Sequence, residues 1–340
     1  MTSRPGPGLR SRMRAIVSRV LAGLFVATLG LAAPIAEAST GRAEGFAVEQ
    51  ATSRHTIGRV TLDFEPDLAD EAAMLAANIP AWWSEIERPL ARDVDDTLRI
   101  TLVDHAGRVA EATGMPHWVA GVARSETGEI VIARHGPDGA RTDLEHLLKH
   151  EMGHVVLHRA SGGADVPRWF HEGIAESGAG GISLGRAQTL ASAVFGPGVP
   201  DMERLEAQFY GSDGQDVAVA YAAARDLVEF LRAQGEDGVK LRQAMSELRR
   251  GESFEAAIAR AYGKPLGELV QVWRSGLPAR FVGYPMVAGG GLPLALVFPL
   301  VLVAWIRKRR EVKRGWDRLE REDELMFAHE ASPATIFTPA

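Results

Sequence analysis

Two histidines four residues apart enclose a glutamate at the second position in His150-Glu151-Met152-Gly153-His154. That spacing demands a helix. Four helical residues turn about 40° beyond a full circle and rise about 6 Å, so both imidazoles can converge on one ion, with Glu151 pointing close to the same place. Two neutral nitrogens leave a divalent cation enough positive charge to polarise water, and the carboxylate can take the proton as water attacks a carbonyl. The pattern predicts a helix over Thr142–Arg159, with Leu148, Met152 and Val156 on the opposite side as its anchor in the core.

A hydrolytic zinc site needs a third protein ligand and one open position. Seventeen residues separate His154 from Glu172, inside Pro167-Arg168-Trp169-Phe170-His171-Glu172-Gly173-Ile174-Ala175-Glu176. A loop around Ser161-Gly162-Gly163 gives a second helix room to return and present that carboxylate. His146 and His158 extend the histidine stripe, but only the 150/154 pair encloses a glutamate, and four histidines in a row cannot all reach one ion. His146 and His158 are read as surface or supporting residues. His171 is expected to point elsewhere on its helix, and Trp169 and Phe170 to pack in the core.

Strand signals come first and helical ones follow. Arg59–Phe64 and Leu98–Val103 alternate like strands, and Gly121–Ala133 reads as a hairpin turning at Glu126-Thr127-Gly128. Between them Leu68–Arg88 is helical, with Leu75, Ile79, Trp82, Trp83 and Ile86 at spacings of three and four. From Thr142 onward helices dominate, over Arg168–Ser177, Asp216–Gln234, Lys240–Arg250, Ser253–Tyr262 and Pro265–Ser275. This order predicts an α+β fold, a small mixed sheet packed on the motif helix and then a mainly helical half. Gly178–Gly185 and Phe195–Pro200 are loop-like and are expected to flank a cleft.

The chain holds no cysteine, which excludes disulfides, thiol nucleophiles and cysteine-ligated zinc or iron–sulfur sites. Its ends differ from its middle. Residues 1–38 combine five arginines, an apolar run from Val20 to Ala33 and Ala36-Glu37-Ala38, the pattern of a cleaved signal peptide, with a linker over 39–56. Phe281–Ile306 lacks any charged residue, and Arg307-Lys308-Arg309-Arg310 follows. A transmembrane helix is expected over 286–306, with a cytoplasmic tail over 307–340 and the domain 57–280 on the far side of a bacterial inner membrane. The two ends carry five and eight basic residues and one and seven acidic ones; removing them from the totals of 38 and 44 leaves 25 basic against 36 acidic. An acidic domain of this kind argues against nucleic-acid binding.

The motif followed by Trp169-Phe170-His171-Glu172-Gly173-Ile174-Ala175-Glu176 resembles the gluzincin metallopeptidases of the peptidase MA clan, in particular its small bacterial MA-like domains. The likeness extends to Tyr221–Leu231, Ser253–Ile258 and Leu269–Trp273, covering about residues 57–277. It implies a zincin-like fold, a peptide or protein substrate and Zn²⁺ held by His150, His154 and Glu172. It further implies Glu151 as general base, Glu176 as the acid that accepts a hydrogen bond from the first zinc histidine, and Tyr221 as donor to the oxyanion. The strand Gly128–Ala133, taken as the sheet edge, would pair with an extended peptide. The competing expectation is a catalytically silent, peptidase-like binding module at the cell envelope.

Overall fold

A computed structural model describes residues 46, 51–181, 184–211, 213–287, 302, 303, 305 and 307. The signal segment 1–38, nearly all of the expected span 286–306 and the tail beyond 307 lie outside the described residues. Among the described residues, no helix is long and apolar enough to cross a membrane. The chain divides into two compact units, Met1–Ser275 and Gly276–Ala340. The first carries the sheet and the motif helix, and the described part of the second is helical.

The first unit is α+β, as expected. Strands β1 (Ser53–Ile57), β2 (Val60–Phe64), β3 (Leu98–His105), β4 (Gly121–Arg124) and β5 (Glu129–His135) form one mixed sheet in the order β1-β2-β3-β5-β4. The pairs β2·β3 and β3·β5 are parallel, and β1·β2 and β4·β5 are antiparallel. Helices α1 (Ala69–Glu87) and α2 (Ala106–Thr113) supply the crossovers, and α2 was not anticipated from its short, weakly apolar sequence. β1 was also unforeseen, because Ser-Arg-His-Thr-Ile carries only one strong apolar residue and pairs at an edge.

The sheet order corrects one expectation. The strand over 128–133 is not the edge: β5 lies between β3 and β4, and β4 is the edge on that side. Ile130, Val131, Ile132 and Ala133 are all fully buried, so both faces of β5 are covered, as befits an interior strand. Val131 and Ala133 cluster with Val103, Val109, Met115, Val119 and Val122 on one face. Gly121, paired with Ile132, touches Leu147 and Glu151, so Ile130 and Ile132 face the motif helix.

That helix, α3 (Leu144–Ser161), begins where the Asp143 carboxylate accepts the His146 amide at 3.1 Å and ends at Gly162, whose φ of 72° reverses the chain. Leu148, Met152 and Val156 are fully buried, as expected. After it come α4 (Arg168–Gly178), α5 (Leu184–Phe195), α6 (Met202–Gln208), α7 (Gly214–Ala233), α8 (Val239–Arg249), α9 (Phe254–Tyr262) and α10 (Leu266–Val287). The two loop-like stretches do bracket an element, the unforeseen helix α5. Trp169 and Phe170 are buried against Phe254, as core residues should be.

Candidate metal centre

The site is built where α3 and α4 come closest. A Cβ on Gly153 would lie 2.7 Å from the Ala175 Cα, so only glycine lets the two backbones approach this far. Glu172 and Glu176, one turn apart on α4, therefore face His150 and His154 on α3. The His150 and His154 Nε2 atoms lie 3.1 Å apart, and Glu172 Oε2 is 3.6 Å from the first and 4.0 Å from the second. One ligand atom from each of the three residues falls within 4.8 Å of the others, and all three side chains are buried.

This donor set fits a metal. The two facing ring nitrogens have only each other as partners, and Glu172 Oε2 makes no hydrogen bond. A buried carboxylate oxygen without a partner is costly, and a divalent cation held by it and by the two ring nitrogens removes that cost. The donors are nitrogen and oxygen alone, as the absence of cysteine requires.

The surrounding charges are strongly perturbed. Burial pushes the Glu151 carboxyl up, to about 7, with Glu172 adding to the effect and His150 opposing it. Burial likewise raises Glu172 against the pull of His150 and Arg168. His150 goes the other way: burial disfavours its charge, but the Glu176, Glu151 and Glu172 carboxylates raise it to about 9. Glu176, 3.4 Å from His150 Nδ1 and 2.7 Å from an Arg186 nitrogen, is held at about 2 despite its burial. Burial, His171, His150 and Arg168 keep His154 well below the usual histidine range.

Glu151 lies against the edge strand. The Gly128 and Ala133 amides donate to the Arg124 and Ala120 carbonyls, so the alternation of an antiparallel pair turns the backbone groups of Gly121 and Ala123 outward. The Ala123 amide donates to the Glu151 carboxylate. A Cβ on Gly121 would come within 3.0 Å of Glu151 Oε1, so a bare backbone is what admits the carboxylate there. Tyr221, on α7, is buried, its ring edge-on to Phe209 at 5.1 Å, and its proton is held more tightly than usual by burial and by the charge of Glu172.

The histidines outside the trio divide. His146 lies beside the site, with its two nitrogens 3.2 Å from the Ala179 carbonyl and from Arg186. His158 is half-buried beside Gly163, away from the trio. His171 does not point away as expected: its ring stacks on His154, centroids 4.6 Å apart, and burial with Arg168 nearby lowers it to about 4. It is a neutral wall behind the second histidine. Sequence reasoning missed Arg168 and Arg186. Arg168 stands four residues before Glu172, a helical pairing distance, whereas Arg186 reaches Glu176 from a separate helix and left no local signal.

An α+β domain whose buried helix presents a His-Glu-x-x-His face to a carboxylate on the next helix is peptidase-like in architecture. Residues 95–279, more than half of the chain, match the model of the Peptidase MA superfamily, and the chain belongs to it. Membership points to hydrolysis of peptides or proteins. The chain has no match among curated proteins.

Proposed function

We propose that the chain is a zinc-dependent metallopeptidase of gluzincin type, with His150, His154 and Glu172 as zinc ligands. The observation that carries the reading is the convergence of these three buried donor atoms beside Glu151, a carboxyl raised to about 7. Zinc, when bound, supplies a Lewis acid that makes water acidic near neutral pH and polarises a carbonyl. Glu151 is the general base: a pKa near the working pH suits a group that must take a proton from attacking water and give it to the leaving amine. Glu176 accepts from His150 Nδ1 and fixes which ring nitrogen faces the site. Tyr221 is the donor toward the developing oxyanion.

The outward backbone groups of Gly121 and Ala123 on β4 pair with an extended peptide, in place of the strand expected to do so. Because Ala123 also touches Glu151, a peptide added there passes directly over the base. The arginine-rich leader and the charge-free run ending at Arg307 support export and a single anchor, with the peptidase domain outside the inner membrane and the tail in the cytoplasm. Protease accessibility of the domain in spheroplasts tests that placement, and full protection overturns it.

The chemical test is metal analysis together with cleavage of a mixed peptide library. The wild-type chain should carry one zinc and cut peptides. Glu151→Gln should keep the zinc and lose about 10²–10⁴-fold in rate, the range for a general base. Undiminished cleavage by that variant removes Glu151 from the mechanism, and zinc without any cleavage by the wild type favours a binding module.

A further inference from the structure

The two oxygens of Glu172 are not equivalent. Oε2 faces the histidine pair and makes no hydrogen bond, whereas Oε1 lies 3.3 Å from the Arg168 guanidinium, one helical turn earlier on α4. Arg168 is itself held on several sides. The Glu206 carboxylate of α6 accepts the Arg168 and Trp169 amides at 2.6 and 3.0 Å, fixing a first turn that Pro167 leaves without a side-chain cap. The Tyr210 ring lies 4.9 Å from the guanidinium carbon. Only 12% of the Arg168 side chain is exposed, so this is no solvated i,i+4 pair.

The structure assigns Arg168 the part of a positioning residue: its guanidinium holds one oxygen of Glu172, so that the other alone is offered to the metal. The inference rests on the metal-centre reading above. A carboxylate free to rotate can offer a cation one oxygen or two. Holding Oε1 from behind settles that choice before metal arrives, and it keeps a position open for water and substrate, as a catalytic site requires. Arginine suits the task better than lysine. Its planar fork can lie on Tyr210 while it reaches Glu172, whereas an ammonium is a single point of charge. Because Tyr210 follows α6 and Glu206 lies within it, the segment 202–210 becomes part of the device that aims a ligand it never touches.

The test uses the full chain and reads metal affinity and ligand geometry rather than turnover. Zinc affinity comes from competition with a chromophoric chelator, and geometry from the visible absorption of the cobalt-substituted protein. Arg168→Gln should bind zinc about 10–100-fold more weakly, the usual loss when a partner behind a ligand is removed, and should change the cobalt bands. Arg168→Lys should recover part of the affinity. Zinc affinity and cobalt spectrum unchanged in folded Arg168→Gln overturn the assignment, even if that variant melts earlier without metal. If Arg168→Gln does not fold, unchanged zinc affinity and cobalt spectrum in Arg168→Lys overturn it instead. A wild-type chain that takes up no zinc is a separate result, which removes the metal-centre reading itself.

Discussion

Two clusters of acids and bases flank the sheet, and they behave in opposite ways. Around His150 stand Glu151, Glu172 and Glu176 with Arg168 and Arg186, all three acids almost fully buried. Around Arg134 stand Asp67, Glu71 and Asp104 with His135 and Arg141: Arg134 meets Asp104 at 2.6 Å, and Arg141 meets Glu71 at 2.6 Å. Asp67 and Arg141 are largely in water. In the second cluster burial works against both carboxylates but is outweighed: a backbone hydrogen bond together with Arg134 and Arg141 lowers Glu71, and Arg134 with His135 lowers Asp104, below the ordinary carboxylate range. In the first, burial outweighs the neighbouring cations at Glu151 and Glu172 and drives both carboxyls up. Similar side chains thus make a partly exposed ion-pair network in one place and a buried set with unsatisfied carboxylate oxygens in the other. Removal from water decides it at Glu151 and Glu172, while Glu176, just as buried, is held ionised by His150 and Arg186.

The largest expected effect breaks the buried cluster through its metal. Zinc at about 1,000 times its dissociation constant should stabilise the folded chain by about 4 kcal/mol, seen as a higher melting temperature that a chelator abolishes. His154→Ala should melt at the same temperature with and without zinc; a zinc-dependent rise in that variant would remove His154 from the ligand set. Next comes Glu176→Ala, expected to weaken zinc binding about 10–100-fold, or roughly 1.4–2.8 kcal/mol, by freeing the His150 ring. Competition with a chelator measures it, and an unchanged affinity would show that Arg186 and Glu176 are only a structural pair.

The Arg134 cluster should respond less and differently. Arg134→Gln is expected to cost no more than about 1 kcal/mol in denaturant unfolding at neutral pH, since its partners are screened by water, and to leave zinc affinity unchanged. The smallest effect is its pH dependence. Glu71 and Asp104 have folded-state pKa values below their unfolded ones, so their stabilisation is present above pH of about 4 and is lost as acid protonates them in the folded chain. Stability followed from pH 5 downward should therefore fall less steeply in Arg134→Gln than in the wild type. Parallel curves would mean that Arg134 does not depress these two carboxyls.

Legibility in the sequence followed the range of the interaction. The pair His150/His154 and the placement of Glu151 depend on a helical repeat of four residues, and the buried stripe of Leu148, Met152 and Val156 on the same repeat. Glu172 and Glu176 were legible as a pair one turn apart, and their resemblance to a known pattern matched them to the histidines. The order of the sheet was not legible, because β5 pairs with β3 across about thirty residues and with β4 across a tight hairpin. Nothing in the apolar run Ile130–Ala133 says which partner leaves an edge free. The short polar strand β1 and helices α2, α5 and α6 carry too little periodic apolar sequence to stand out.

By itself the sequence determined that a helix would aim two imidazoles and a carboxylate at one place, that no thiolate could join them, and that strands would precede helices. Those outcomes are local: they follow from residue identity and from the pitch of one helix. Only the tertiary structure decided that β4 is the edge against Glu151, that His171 stacks behind His154, and that Arg186 and Arg168 stand behind Glu176 and Glu172. These depend on how closely separate elements pack, down to the missing Cβ of Gly153, and on how much water that packing excludes from the charges between them.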